Sequence, residues 1–138
     1  MSLSAQSALP IRVYWEDTDA GGIVYHASYL RFMERGRTEL LRERGLDQHS
    51  LLAGQRLAFT VRRMAIEFRR PARLDDLLTV VTRAVTLGGA SITLEQAVPR
   101  GAEVLAEARV TVACLIDGRA ARLPPFLRAR LLPQDTPA

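Results

Sequence analysis

Ten consecutive residues, Asp17 to His26 (DTDAGGIVYH), bring together two carboxylates, two adjacent glycines and one of the chain's two histidines. An aspartate with a reference pKa near 3.9 is ionised at pH 7, so it can attack a carbonyl carbon or take a proton from water. Gly21 and Gly22 remove Cβ atoms where a substrate would have to approach the backbone closely. A helical pattern follows the segment, and a helix start offers unpaired N–H groups and positive dipole potential. Both suit a carbonyl oxygen that becomes an oxyanion. His26 could donate a side-chain hydrogen bond or orient the site. The chemistry these types support is acyl transfer to water, as in thioester hydrolysis. Asp19 is the candidate carboxylate, and on residue type alone Asp17 is a second. Taken alone, the same residues also suit a capped turn ahead of a helix. Two other motifs fail: an EF-hand loop from Asp17 needs an acidic twelfth residue where Ser28 stands, and an Asp-x-Asp phosphohydrolase needs a parallel α/β sheet that this element order does not build.

The elements that must position this segment follow from periodicity. Ile11, Val13 and Trp15 alternate with Arg12, Tyr14 and Glu16, which predicts a half-buried strand ending at Asp17. From Tyr25 to Arg44 the period becomes helical. Tyr29, Met33, Gly36 and Leu40 form an apolar stripe with Leu30 and Leu41 beside it, and Gly45 stops the helix. Gly36 costs about 1 kcal/mol relative to alanine inside a helix, but on this stripe it would let the helix lie close against a sheet. A short polar connection follows. Leu57, Phe59 and Val61 then alternate on odd positions, whereas Met64, Ile66 and Phe68 alternate on even ones, so a β-bulge is expected at Arg62-Arg63.

Pro71 ends that strand. Leu78–Leu87 is a third, Gly88-Gly89 turns into a fourth carrying Ile92, Leu94, Gln96 and Val98, and Pro99-Arg100-Gly101 turns into a fifth. On the fifth, Val104, Ala106, Ala108, Val110, Val112 and Cys114 share a face; Asp117-Gly118 closes it, and a short helix from Pro124-Pro125 is expected to end near Pro133. The expected fold is α+β: a five-stranded antiparallel sheet wrapped around one long central helix, the hot-dog architecture, as a single domain over residues 1–138.

Composition narrows the classes. At 138 residues with 48% hydrophobic and 25% charged side chains, the chain can build a core unaided. There is no run of 18 apolar residues, so no membrane span is expected. Met1–Pro10 lacks a basic start and a continuous apolar run, which points to a cytoplasmic protein. All 19 basic residues are arginine, which lifts the pI to about 10.2 although the formal net charge is only +4. No stretch interleaves these arginines with aromatics, so nucleic acid is not an expected partner. The single cysteine, Cys114, reads as a small buried hydrophobe, and two histidines with no cysteine cluster leave no zinc-type spacing.

The stretch VYWEDTDAGGIVYHASYLRFMERGRTELLRERG resembles the signature of the 4-hydroxybenzoyl-CoA thioesterase family, and most nearly its YbgC-type acyl-CoA thioesterases encoded beside the Tol–Pal envelope genes. The similarity continues through RLAFTVRRMAIEF and PARLDDLL to VTVACLID. It implies a hydrolase of fatty acyl- or aryl-CoA with no cofactor or metal. Asp19, the second Asp of the motif, matches the family's catalytic carboxylate, which leaves Asp17 to the turn. His26 matches the helix-start residue whose backbone N–H polarises the thioester carbonyl, with its imidazole assisting. Gly22, Val24 and Tyr25 between them are the candidate substrate contacts. Because such folds bind the CoA nucleotide near the bulge, Arg62 and Arg63 are candidate phosphate ligands. Glu34, Arg37 and Glu39 are assigned to helix ion pairs or interface contacts, although Glu34 keeps open a carboxylate on the central helix. The resemblance further implies a homodimer joined sheet edge to sheet edge, with dimers pairing into a homotetramer. Acyl carrier protein is an alternative carrier of the acyl group. Gly36, where relatives often carry alanine, and Arg69-Arg70, where relatives are less basic, are departures from the family pattern. Two competing readings remain: a hot-dog hydratase or dehydratase, and a non-catalytic acyl-carrier-protein-binding module in envelope lipid metabolism.

Overall fold

The computed structural model describes residues 5–131. In chain order they form β1 (Gln6–Arg12), a single 3-10 turn (Trp15–Asp17), α1 (His26–Glu43), α2 (Gln48–Gln55), β2 (Leu57–Phe68), β3 (Leu77–Leu87), β4 (Ser91–Arg100), β5 (Glu103–Ile116), the two-residue β6 (Arg119–Ala120) and α3 (Pro125–Leu131). The sheet is antiparallel in the order β1-β3-β4-β5-β2, with β6 added beside β5. Its inner face supplies Leu78, Val80, Ile92, Leu94, Val110 and Val112, all buried against α1. This is the hot-dog arrangement.

The stripe on α1 is the central contact. Tyr29, Met33, Gly36, Leu40 and Leu41 are buried, and so is Phe32, which the stripe did not include; Leu30 instead stays 44% exposed. Gly36 has the predicted close approach. A Cβ there would lie 2.6 Å from Thr82 Oγ1 and 2.7 Å from Val80 Cγ1, so only glycine lets the helix sit this deep. Beneath it Gln96, 3% exposed, donates to the Met33 carbonyl and to Thr82 Oγ1, each at 2.8 Å, and accepts from Arg37 Nη1 at 3.0 Å. Pairing all of Gln96 is what makes a polar side chain tolerable in this core.

The bulge falls as predicted. Val61 pairs with Val112 and Arg63 with Thr111, which leaves Arg62 as the extra residue and switches the buried phase from Leu57 and Phe59 to Met64 and Ile66. Three expectations change. β1 ends at Arg12, not Asp17, and Trp15 is 75% exposed instead of sharing a face with Ile11 and Val13. The cause is local: the Asp17 carboxylate accepts the Tyr14 amide at 2.8 Å, and the amides of Asp17 and Thr18 bond back to Tyr14 and Trp15, so the chain curls. The expected polar connection contains α2, capped by Asp47, which accepts from the Ser50 amide at 3.2 Å. Only Leu51 of α2 is buried, so it left no stripe to read. The expected helix end near Pro133 lies outside the described residues. Among the described residues no helix is long and apolar enough to cross a membrane, and Cys114 is fully buried, its thiol pKa raised by that burial.

Candidate active site

The 3-10 turn, the loop Thr18–Tyr25 and the first turn of α1 form one hydrogen-bonded unit. The Asp17 carbonyl accepts the Tyr25 amide at 2.9 Å, which closes the loop at its base. Inside it, the Asp19 amide donates to the Ile23 carbonyl at 2.9 Å and the Gly22 amide to the Asp19 carbonyl at 3.0 Å. Gly22 has φ +81°, a left-handed conformation that suits glycine and completes this turn. The loop also leans on the β2–β3 connection, because the Val24 amide donates to the Ala72 carbonyl at 2.8 Å and Ile23 bridges Arg73.

The two aspartates differ sharply. Asp17 is 5% exposed, with its carboxylate on the Tyr14 amide and 3.8 Å from Arg31 Nη2, so it holds the turn. Asp19 is exposed, with Oδ1 accepting the Gly21 amide at 2.8 Å. His26 is the first residue of α1. Among the described residues no acceptor occupies its amide or that of Ala27, and Tyr25 supplies no side-chain cap. These are the orphan donors that a helix start presents.

Asp19, Val24 and His26 line one cleft of about 250 Å³, together with Ile23, Tyr29, Phe68 and the segment Arg69–Pro71. The His26 ring meets Phe68 edge-on at 6.2 Å between centroids and Tyr25 at 4.5 Å. Gly22 and Tyr25 flank this cleft without lining it. Arg62 and Arg63 are not brought to it: Arg62 is the bulge residue, and Arg63 borders a separate hollow with Thr86, Thr93, Arg109 and Thr111. The arginines at the cleft are Arg69 and Arg70, paired with Glu107 at 2.6 Å and Glu103 at 2.9 Å. Sequence reasoning passed over Tyr29, Phe68, Arg69 and Arg70 as site residues. Tyr29 and Phe68 carry the apolar periods of their elements, and nothing in those periods marks an end that opens onto a cleft.

Of the charged residues on α1, Glu39 pairs with Arg42 at 3.2 Å as expected, and Glu34 accepts the Thr38 hydroxyl at 2.6 Å. Arg37 does not form a helix ion pair; it crosses to Gln96, and burial lowers its pKa. Glu34 and Arg37 border a second, more enclosed cavity of about 200 Å³ under the C-terminal half of α1, walled by Leu40, Phe59, Ile92 and Leu94. It is apolar and holds neither Asp19 nor His26. Among the described residues no group of three His, Cys, Asp or Glu side chains is placed to hold a metal ion.

An exposed carboxylate and the first residue of α1 thus border one cleft on a hot-dog scaffold. The thioesterase-like superfamily matches residues 13–131. The acyl-CoA thioesterase YbgC of Haemophilus influenzae is 50% identical over 112 residues, covering 81% of this chain and 82% of that protein. A probable thioesterase from Bartonella henselae superposes with a TM-score of 0.83 at 44% identity, covering 87% of this chain and all of that one. A thioesterase from Thermus thermophilus, solved complexed with coenzyme A and Zn, gives 0.79 at 30% identity over 95% of each chain. The chain belongs to the thioesterase-like superfamily, as a YbgC-type thioesterase. It is a thioester hydrolase.

Proposed function

We propose that the chain hydrolyses fatty acyl- or aryl-CoA to the free acid and CoA, with Asp19 as nucleophile or general base and the helix start at His26 polarising the carbonyl. The observation that carries this reading is the shared cleft: the one exposed carboxylate of the loop and His26, whose amide has no acceptor among the described residues, border the same space. A thioester whose carbonyl oxygen meets the His26 amide would present its carbon to Asp19 or to a water that Asp19 deprotonates. The tetrahedral oxyanion gains charge where the His26 amide meets it, and its collapse expels the thiolate of CoA. Attack by water leaves the free acid directly, whereas attack by Asp19 leaves a mixed anhydride that water then cleaves to the acid and the regenerated carboxylate. A hydratase would need an acid and base placed about the α and β carbons, whereas these groups converge on a carbonyl.

The acyl group needs an apolar compartment, and the cavity under the C-terminal half of α1 supplies one. Its volume of about 200 Å³ exceeds the roughly 150 Å³ that accommodates a benzene ring in an apolar protein cavity. The route to it runs through a homodimer. Among the described residues β2 pairs with β5 on one side only, and the strand carries exposed Val61 and Phe68. Such an edge is a template for strand pairing. Antiparallel pairing of two β2 edges would set Phe68 and the Asp19 cleft of one subunit beside Val61 and the apolar cavity of the other. We further assign a homotetramer of such dimers, a cytoplasmic location, one catalytic domain over residues 1–138 and a role in envelope lipid metabolism beside the Tol–Pal system, with acyl carrier protein as the alternative acyl carrier. Arg69 and Arg70 join Arg62 and Arg63 as candidate ligands for CoA phosphates.

Thiol release measured across a panel of aliphatic acyl-CoA, aryl-CoA and acyl-carrier thioesters tests this. Turnover of at least one CoA thioester is expected; absence of thiol release from all of them, by folded oligomer, contradicts it.

A further inference from the structure

Asp19 and the His26 amide can act on one carbonyl only if the loop and the helix start keep their relative position. Two consecutive residues of the first turn of α1, Ser28 and Tyr29, are 1% and 3% exposed; the hydroxyl of one reaches the base of the loop and that of the other the β2–β3 connection on which the loop leans. The Ser28 hydroxyl donates to the Asp17 carbonyl at 3.1 Å, the same oxygen that accepts the Tyr25 amide. Arg31 Nη2 in turn donates to Ser28 Oγ at 3.0 Å. On the other side, the Tyr29 hydroxyl accepts the Ala72 amide at 3.3 Å, and the Ala72 carbonyl accepts the Val24 amide. Asp19 bonds to Ile23, the neighbour of Val24. Asp19 is therefore tied to the helix by two routes, one through Asp17 and one through Ala72.

We propose that Ser28 and Tyr29 are positioning residues for the hydrolysis, holding the Asp19 loop in register with the His26 amide; this rests on the reading that both groups act on one carbonyl. Packing alone does not require either oxygen. Tyr29 keeps its ring contacts with Phe32 and Phe68 without the hydroxyl, and Ser28 does not line the cleft. What each oxygen supplies is a hydrogen bond from the helix, Ser28 directly to the loop at the Asp17 carbonyl and Tyr29 to Ala72, on which the loop leans; on the Ser28 side Arg31 adds only a longer 3.8 Å contact to the Asp17 carboxylate. Productive geometry tolerates about half an ångström of error, and a displacement of about 1 Å can cost on the order of 100-fold in rate.

The test is Ser28→Ala and Tyr29→Phe, singly and together, in the full chain. Each is expected to lower kcat about 10-fold and the pair about 100-fold, with KM within about two-fold, because the alignment needed in the transition state is lost while the binding surface stays. Ser28→Thr, which restores the hydroxyl, should recover most of kcat. Amide hydrogen exchange at Val24 and Tyr25, whose amides bond to Ala72 and Asp17, should quicken in both single variants and stay unchanged in Asp19→Asn. Single-variant kcat values within two-fold of the parent, or a kcat loss that merely follows the unfolded fraction, overturn the proposal. If the parent chain releases no thiol from any acyl-CoA, the hydrolase reading fails by itself. Exchange then still decides whether the two hydroxyls hold the loop, and unchanged exchange overturns that too.

Discussion

The two halves of α1 are built to opposite rules. At its middle, Gly36 lies against Thr82 and Val80, Gln96 pairs its whole amide with Met33, Thr82 and Arg37, and no buried side-chain polar atom among the described residues lacks a partner. At its start, the amides of His26 and Ala27 have no acceptor among the described residues, and Asp19 and His26 are exposed. The middle contributes stability through full burial and full pairing. The start keeps its hydrogen-bonding capacity for a ligand, and Asp17, Ser28 and Tyr29 beneath it are the buried groups that allow this. One helix therefore serves as a core element and, in the proposed mechanism, as half of an active site, with about two turns between the two roles.

His26→Pro against His26→Ala would break this contrast most strongly. Proline is well tolerated at the first helical position but has no N–H. It is expected to lower kcat by about 100- to 1000-fold, the usual cost of an oxyanion donor. Alanine keeps the amide and should cost much less; equal losses in thiol release for the two would remove the amide from the mechanism. The middle of the helix should respond in stability instead. Gly36→Ala forces a methyl group into a gap of 2.6–2.7 Å, so we expect a net loss of about 1–3 kcal/mol despite the better helix propensity. That corresponds to several degrees in Tm by calorimetry with KM little altered, and an unchanged Tm would mean that helix and sheet are not in close contact there.

A smaller effect should appear at acid pH. Asp76 accepts the Arg73 amide at 2.9 Å and Arg100 Nη1 at 2.6 Å, and so steadies the connection on which the active loop leans. Burial opposes its charge, but those two partners outweigh burial and hold its pKa below the ordinary carboxylate value. A depressed folded-state pKa means stability that is present above about pH 4 and is lost as pH falls through the folded pKa. Because the pair is partly solvated, the contribution should be under about 1 kcal/mol. In Asp76→Asn, unfolding curves should fall less steeply below about pH 4 than in the parent; identical acid limbs would argue against the pairing.

Much of this was legible in residue order. The phase change between Val61 and Met64 located the bulge, because a strand cannot keep one buried face across it, and Gly36 on an apolar stripe announced a close helix–sheet contact. The loop DTDAGG and the helix after it marked the candidate site, and Asp19, Val24 and His26 from that stretch do line one cleft. Other features depend on information that periodicity does not carry. Trp15 alternates with Val13 yet points to solvent, because the Asp17 side chain captures the Tyr14 amide and ends β1 early. α2 buries only Leu51, so no stripe marks it. Arg62 and Arg63 were singled out by the bulge, but a bulge says nothing about distance from the loop. It is the end of β2, where Phe68, Arg69 and Arg70 stand, that reaches the cleft. Arg37 looked like a partner for its own helix, and only the sheet's register puts Gln96 within reach of it.

The central claim is that Asp19 supplies the reacting carboxylate. Asp19→Asn keeps the shape and a side-chain oxygen for the Gly21 amide, but removes the charge that attacks the carbonyl or takes a proton from water. Thiol trapping with an acyl-CoA turned over by the parent chain should show release reduced at least about 100-fold in this variant, with its oligomeric state intact. Near-parental turnover by a folded Asp19→Asn oligomer would contradict the assignment.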